Sequence, residues 1–144
     1  MTYLRIVVVC SVLAACHTPV DCAPPPPPPP PASANLLGRW SYTATQNAPT
    51  PANLFGTLDI TTQCGTTLTG SLDVTEVDAQ GSRRRTGTLS GRIVDSVTVD
   101  FDVFLTTVGR RHVGAIARDS IHGTWVEPLD LGSASGSFAA ARMP

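Results

Sequence analysis

Histidines, cysteines and acidic residues are the side chains of this sequence that could carry out catalysis or bind a metal ion. The histidines are His17, His112 and His122, and no spacing typical of a metal site joins them to cysteines or carboxylates. A serine, a histidine and an aspartate can be chosen from any Ser-rich chain, so their presence alone predicts no catalytic triad. We therefore expect a non-catalytic protein with no metal site and no cofactor.

The N-terminal segment has the composition of a secretory signal. One arginine, Arg5, precedes a nearly continuous apolar run over residues 6–15. That run is shorter than the roughly 20 residues that a membrane-spanning helix needs. A positive start, a short apolar core and small residues at its end predict a signal peptide at residues 1–15.

The end of this run, Leu13-Ala14-Ala15-Cys16, resembles the lipobox of bacterial lipoproteins. The resemblance implies a diacylglycerol on the Cys16 sulfur, cleavage before Cys16 and an acylated new amine. Two or three acyl chains would anchor the protein durably in a membrane. Because His17 rather than Asp follows the cysteine, the resemblance also implies the outer membrane of a bacterial cell envelope. A plain secretory signal that happens to contain a cysteine is the alternative.

Residues 16–35 form a proline-rich tether in this interpretation. Pro24 to Pro31 are eight consecutive prolines, which lack N–H donors and have a fixed φ. Such a run adopts the extended polyproline II form and reaches about 25 Å at about 3.1 Å per residue. We expect a stiff spacer between membrane and domain, and a docking site for an aromatic-lined partner is the alternative.

The remaining residues, 36–144, suffice for one domain. The chain has no lysine, and residues 16–144 hold nine arginines against eleven acidic residues, which excludes a nucleic-acid-binding footprint. Cys22 and Cys64 remain after cleavage and lipidation, and an oxidising compartment favours a disulfide between them. Two unpaired thiols, or an intermolecular bond, are the alternatives.

The sequence of residues 36–144 predicts an all-β domain. Leu68, Leu72 and Val74 alternate with polar residues, and the run from Val97 to Leu105 alternates in the same way. Turn residues recur between such runs at short intervals. We predict eight strands, at about 38–46, 54–63, 66–77, 85–94, 97–107, 111–118, 121–127 and 136–143. Short connections favour an antiparallel up-and-down meander that closes into a small barrel, with a β-sandwich as the alternative.

Two ends of the domain resemble the lipocalin-like, or calycin, pattern. Gly38-Arg39-Trp40 opens the first predicted strand, and Gly136-Ser137-Phe138 followed by Arg142 lies in the last. The resemblance implies that Trp40 plugs one end of a barrel and that Arg142 lies across its ring. A guanidinium over an indole gains about 0.5–2 kcal/mol of cation–π energy.

The meander also predicts a cluster of arginines. The connections after the first, third, fifth and seventh strands share one end of an up-and-down barrel, opposite the tether. We place five arginines at this rim: Arg83, Arg84, Arg85, Arg110 and Arg111. Guanidinium groups bind carboxylates and phosphates bidentately, so the rim is a predicted anionic-ligand site. Solvated hairpin turns are the alternative.

These features predict a membrane-anchored envelope lipoprotein that binds a small hydrophobic or amphipathic ligand in or at the mouth of its barrel. The ligand would be anionic if the rim arginines contact it. The alternative is a structural or protein-interaction lipoprotein whose barrel is filled by its own side chains. Large inward residues such as Leu58, Phe101 and Trp125 favour a filled interior, whereas Gly70 and Gly91 favour space.

Overall fold

The computed structural model describes residues 34–106, 108–127 and 134–144. Within these ranges the chain forms eight β-strands and no α-helix, and hence no helix that could cross a membrane. The strands are β1 (Gly38–Ala48), β2 (Ala52–Cys64), β3 (Thr67–Asp78), β4 (Gly81–Asp95), β5 (Thr98–Leu105), β6 (Val108–Ala117), β7 (Ser120–Glu127) and β8 (Ala134–Arg142). The predicted signal peptide, Cys16 and the proline run lie outside the described residues.

The strands form a closed antiparallel barrel in sequence order. Each strand pairs with the next, and β1 pairs with β8 from Trp40 opposite Arg142 to Ala48 opposite Ser135. This confirms the predicted eight-stranded up-and-down barrel and excludes the sandwich. Closure removes exposed strand edges, so the backbone hydrogen bonds of the sheet are satisfied around the whole circumference.

Strict alternation of side chains builds the core. In β5, Val99, Phe101, Val103 and Leu105 are buried, while their neighbours face outward or lie at the surface. Burying one such side chain stabilises the fold by about 1.5–3 kcal/mol. The same alternation in the other strands fills the barrel interior with aliphatic and aromatic residues.

Two strands begin earlier than the sequence predicts. β4 starts at Gly81 rather than near residue 85, and β6 starts at Val108 rather than near residue 111. Polar residues that resemble turns are therefore paired strand residues. Glu76 of β3, for example, lies directly opposite Arg83 of β4. Opposite charges on facing positions favour this longer pairing.

A pair of facing glycines makes room for the central aromatic residues. Gly114 of β6 lies opposite Gly123 of β7. A Cβ at Gly114 would approach the Phe138 ring to 2.9 Å, and one at Gly123 would approach it to 2.8 Å. Phe138 can therefore pack close to the wall, and it stacks on Tyr42 with ring centroids 6.0 Å apart.

The two ends of the barrel differ. The chain enters at the end where β1 begins, which we call the closed end. There Trp40 Nε1 donates to the Leu36 carbonyl over 3.0 Å, and the Leu36 N–H donates to Gln63 Oε1 over 2.8 Å. We call the opposite end, where β2, β4, β6 and β8 begin, the mouth.

Candidate functional site

A polar cleft of about 220 Å³ opens at the mouth, and we call it the mouth cleft. Its floor and sides carry three guanidinium and three carboxylate groups beside two amides. The lining residues are Gln46, Pro49, Thr50, Glu76, Asp78, Gln80, Arg83, Arg85, Arg110, Glu127 and Ala134. Clefts at barrel mouths are frequent ligand sites, and polar groups that converge on such a cleft give it specificity.

Glu76 is the centre of this cluster. Its side chain is only 5% exposed, and three arginines approach it. Arg83 Nη2 donates to Glu76 Oε1 over 3.1 Å, and Arg85 Nε donates to Oε2 over 2.8 Å. Arg110 Nη2 lies 3.6 Å from the same Oε2. Arg83 also binds Asp78, so it joins two carboxylates of the cleft.

Arg110 is the most buried of the three arginines that line the cleft. It is buried, and its Nε donates to Glu127 Oε2 over 2.6 Å. Its guanidinium carbon lies 4.5 Å from the centroid of the Trp125 ring, so carboxylate and indole hold the same cation. A buried ion pair of this kind is weak evidence for stability alone, because removing two charges from water is costly.

Beneath Arg110 lies a buried hydrogen-bonded pair. His112 Nδ1 is 3.1 Å from the Arg110 carbonyl oxygen, and its Nε2 is 3.0 Å from the Tyr42 hydroxyl. A carbonyl only accepts, so Nδ1 carries the proton and Nε2 accepts from Tyr42. Burial lowers the pKa of His112 to about 4, and burial also raises the pKa of Tyr42 well above its usual range. Both groups are therefore neutral at pH 7.

The structure divides the five predicted rim arginines instead of gathering them. Arg83, Arg85 and Arg110 face the mouth cleft, and Arg110 is buried rather than solvated. Arg84 and Arg111 lie on the outer wall, because neighbouring residues of a strand point to opposite faces. The expectation that all five share a rim is wrong. Because β4 and β6 begin earlier than predicted, all five arginines lie within strands, where alternate residues face outward. Anion binding by the inward three stays a prediction.

The outer-wall arginines form ion pairs along the strand surface. Arg84 Nε donates to Asp73 over 2.8 Å, and Arg111 Nη2 donates to Asp100 over 2.8 Å. These hydrogen bonds hold the pKa values of both aspartates below their usual range. Arg84 and Arg111 are thus paired with aspartates of the outer wall and do not line the mouth cleft.

At the closed end the structure brings together the residues that the lipocalin-like pattern singled out. The Arg142 guanidinium carbon lies 4.4 Å from the centroid of the buried Trp40 ring. Arg142 also donates to the carbonyls of Leu37 and Asn35, each over 2.6 Å. Gly38 has a φ of 116°, a conformation that favours glycine, and it lies beneath the Arg142 side chain.

Cys64, at the end of β2, is exposed. Its predicted disulfide partner, Cys22, lies outside the described residues, so the bond stays a prediction. Within residues 34–106, 108–127 and 134–144, no group of His, Cys, Asp and Glu side chains is arranged to hold a metal ion.

Sequence reasoning missed the acidic half of the cleft and the residues below it. Glu76 and Glu127 were not singled out, and His112 was not paired with Tyr42. The alternation of inward and outward residues along β3 could have identified Glu76, because Glu76 shares the inward face with Leu72 and Val74. Tyr42 and His112 are 70 residues apart, and only the register of the closed barrel brings them into contact.

A larger groove, of about 560 Å³, lies on the outer wall across β1, β2, β7 and β8. It is lined mainly by short side chains such as Thr43, Ser137 and Ala139, beside the half-exposed Phe55. The buried ionised groups of the barrel line the mouth cleft instead. We regard the mouth cleft as the candidate site, because its chemistry, rather than its size, sets it apart.

Comparison with known proteins shows the fold. No family model and no curated protein matches the chain. Among solved structures, EF1p2_mFAP2b bound to DFHBI superposes with a TM-score of 0.64 at 12% identity, over 75% of this chain and 94% of that one. The redesigned beta barrel mFAP1, bound to DFHBI, gives a TM-score of 0.57 at 15% identity, over 74% and 94% of the two chains. At such identity the likeness establishes a shared eight-stranded barrel.

Proposed function

We propose that this protein is a lipid-anchored envelope protein that binds the polar part of a small ligand in its mouth cleft without catalysing a reaction. The observation that carries the proposal is the set of buried charged side chains around an open cleft. Apolar residues of similar size would stabilise the barrel at least as well as these ion pairs. Their presence at the mouth is explained by ligand binding better than by stability.

The geometry of the two ends supports an outward-facing site. The described chain begins beneath Trp40 at the closed end, where the predicted tether would join the barrel. A lipid on Cys16 would hold that end toward the membrane and leave the mouth cleft facing away from it. The small molecule in the similar mFAP barrels shows that this architecture can hold a ligand, and it supports the same role here.

The anchor is tested by metabolic labelling with a fatty-acid analogue in a bacterial host. We expect labelling of the full chain and none of the Cys16→Ser variant. Cys10→Ser is the matched control and should be labelled normally, because Cys10 lies within the signal. Equal labelling of the Cys16→Ser variant would show that the protein is not a lipoprotein of this kind.

The binding role is tested by native mass spectrometry of the full chain, purified from membranes in detergent. We expect a retained small-molecule adduct on the wild type and on Arg84→Gln, and its loss from Arg85→Gln. The two variants carry the same substitution on neighbouring residues, of which only Arg85 faces the cleft. Adducts of equal abundance on all three proteins would remove the cleft from consideration.

A filled structural barrel is the second candidate function. Its supporting observation is the packed interior below the cleft, where His112 lies within 4.7 Å of Phe101 and 5.1 Å of Phe138 between ring centroids. In that case the wild type would carry no adduct, and Arg85→Gln would behave as Arg84→Gln does. Crosslinking in the envelope would then identify protein partners.

A further inference from the structure

The charges that line the mouth cleft are balanced. Arg83, Arg85 and Arg110 face Glu76, Asp78 and Glu127, so the formal charges of the cluster cancel. Each guanidinium already contacts a carboxylate of the cluster. An anionic ligand would meet the three carboxylates as well as the three cations, and no net potential would attract it.

Among the described residues, the ion pairs leave some N–H donors and carboxylate lone pairs of the cleft without a hydrogen-bond partner. A guanidinium has five N–H donors and a carboxylate has about four lone-pair sites. Arg83 and Arg85 bind Glu76 through Nη2 and Nε, and no hydrogen bond among the described residues uses the Nη1 of either. The cleft therefore offers N–H donors beside carboxylate and amide oxygens that still accept.

A ligand that keeps the ion pairs intact must donate and accept at once. Separating Arg110 from Glu127 would leave a buried charge unpaired, which makes displacement by a carboxylate or an ammonium group unfavourable. A hydroxyl group donates one hydrogen bond and accepts two, so adjacent hydroxyls match adjacent N–H and carboxylate groups without displacing either. The volume of about 220 Å³ limits the bound part to roughly one sugar ring.

We propose that the mouth cleft binds a neutral, hydroxyl-rich group, namely one uncharged sugar residue. This inference rests on the proposed binding function and specifies its ligand. It replaces the anionic ligand that an unpaired arginine rim would imply. The same sugar chemistry could be presented by a free saccharide or by the headgroup of a glycolipid, and the ligand series below separates these sources.

The test uses saturation-transfer NMR on the full chain in the detergent LDAO, which contains no sugar. The neutral probes are the methyl β-glycosides of glucose, galactose, mannose and N-acetylglucosamine, together with octyl β-D-glucoside. The charged probes are glucuronate, octanoate and glycine. Each is titrated against the wild type, Arg85→Gln and the matched outer-wall control Arg84→Gln, at low and at high sodium chloride concentration.

We expect at least one neutral glycoside to bind the wild type and Arg84→Gln equally, and to bind Arg85→Gln at least tenfold more weakly. Its affinity should change less than twofold with salt, because a neutral ligand gains nothing from unscreened charge. Octyl β-D-glucoside binding far more tightly than the methyl glucoside, with the excess affinity lost in Arg85→Gln, would assign the sugar to a glycolipid, and equal affinities would assign it to a free saccharide.

Three results would overturn the inference, and they differ in what they say about the binding function. Salt-sensitive binding of glucuronate, octanoate or glycine alone, lost in Arg85→Gln, would exclude a neutral ligand and leave the cleft as a binding site. Failure of every probe, with no adduct in native mass spectrometry, would overturn both the inference and the binding function. Sugar binding that survives in Arg85→Gln would place the site elsewhere.

Discussion

Each end of this barrel holds a tryptophan beneath an arginine, but the two stacks are satisfied differently. At the closed end, Arg142 lies 4.4 Å from Trp40, donates to backbone carbonyls and lies 3.3 Å from the exposed carboxylate of Asp119, while the indole N–H donates to Leu36. At the mouth, Arg110 lies 4.5 Å from Trp125 and is held by carboxylates. The Trp125 N–H is buried and has no partner among the described residues.

This difference separates a stabilising role from a binding role. Two backbone carbonyls satisfy Arg142 together with the exposed carboxylate of Asp119, which lies 3.3 Å from its Nε, so this arginine needs no buried counter-charge. Arg110, Glu76 and Glu127 form a buried charged network, and such networks are costly unless every member is satisfied. We infer that the closed end holds the fold together and that the mouth retains groups for a ligand.

The largest expected effect is at the closed end. Trp40→Ala should lower the free energy of unfolding by about 3–5 kcal/mol, because it leaves a cavity in a core that is otherwise closely packed. It also removes the ring beneath Arg142 and the hydrogen bond to Leu36. Chemical denaturation followed by circular dichroism measures the change. An unaltered denaturation midpoint would show that Trp40 is not part of the core.

At the mouth, removing one charge should cost more than removing two. Arg110→Met leaves Glu127 buried without its cation, and we expect a loss of about 3 kcal/mol in unfolding free energy. The double variant Arg110→Met, Glu127→Leu should recover most of that loss, since an apolar pair of similar volume needs no solvation. Ligand binding should be lost in both.

Equilibrium denaturation of the wild type, both single variants and the double variant gives the coupling energy directly. Losses that simply add would show that Arg110 and Glu127 do not stabilise each other. In that case the charged mouth would resemble the closed end, where the arginine needs no buried carboxylate.

The sequence predicted the architecture better than the site, for a physical reason. Alternation over Val97 to Leu105 and recurrent turn residues specify strands and their order, because burial of one face is a local property of the chain. The start of β4 is not predictable in the same way, because Gly-Ser-Arg-Arg-Arg resembles a turn until Glu76 is known to lie opposite Arg83. The inward or outward direction of each arginine depends on that register.

An effect of similar size, but confined to acidic solution, is expected from the neutral histidine under the mouth. The pKa of His112 is about 4 in the fold and about 6.5 in the unfolded chain, so between these values only the unfolded chain takes up the proton. The unfolding free energy should therefore fall by up to about 3 kcal/mol as pH decreases from 6.5 to 4, and this contribution is fully present above pH 6.5.

His112→Gln is the matched variant, because its amide can still donate to the Arg110 carbonyl and accept from Tyr42. Denaturation between pH 7 and pH 4.5 should show a steep loss of stability for the wild type and a much shallower one for this variant. Parallel curves would mean that His112 titrates normally, and hence that it is solvated in the native protein.

The smallest expected effect comes from deleting the indole N–H group of each tryptophan in turn. Trp40→Phe deletes an N–H that donates to the buried carbonyl of Leu36, whereas Trp125→Phe deletes one that has no described partner. Leaving a buried polar group unsatisfied costs about 1–3 kcal/mol, and deleting an unsatisfied group relieves that cost. Both variants lose similar ring volume, so Trp40→Phe should be less stable than Trp125→Phe by about 1–2 kcal/mol. Equal unfolding free energies would mean that Trp125 finds a partner at the mouth, which would remove the contrast between the two ends at this position.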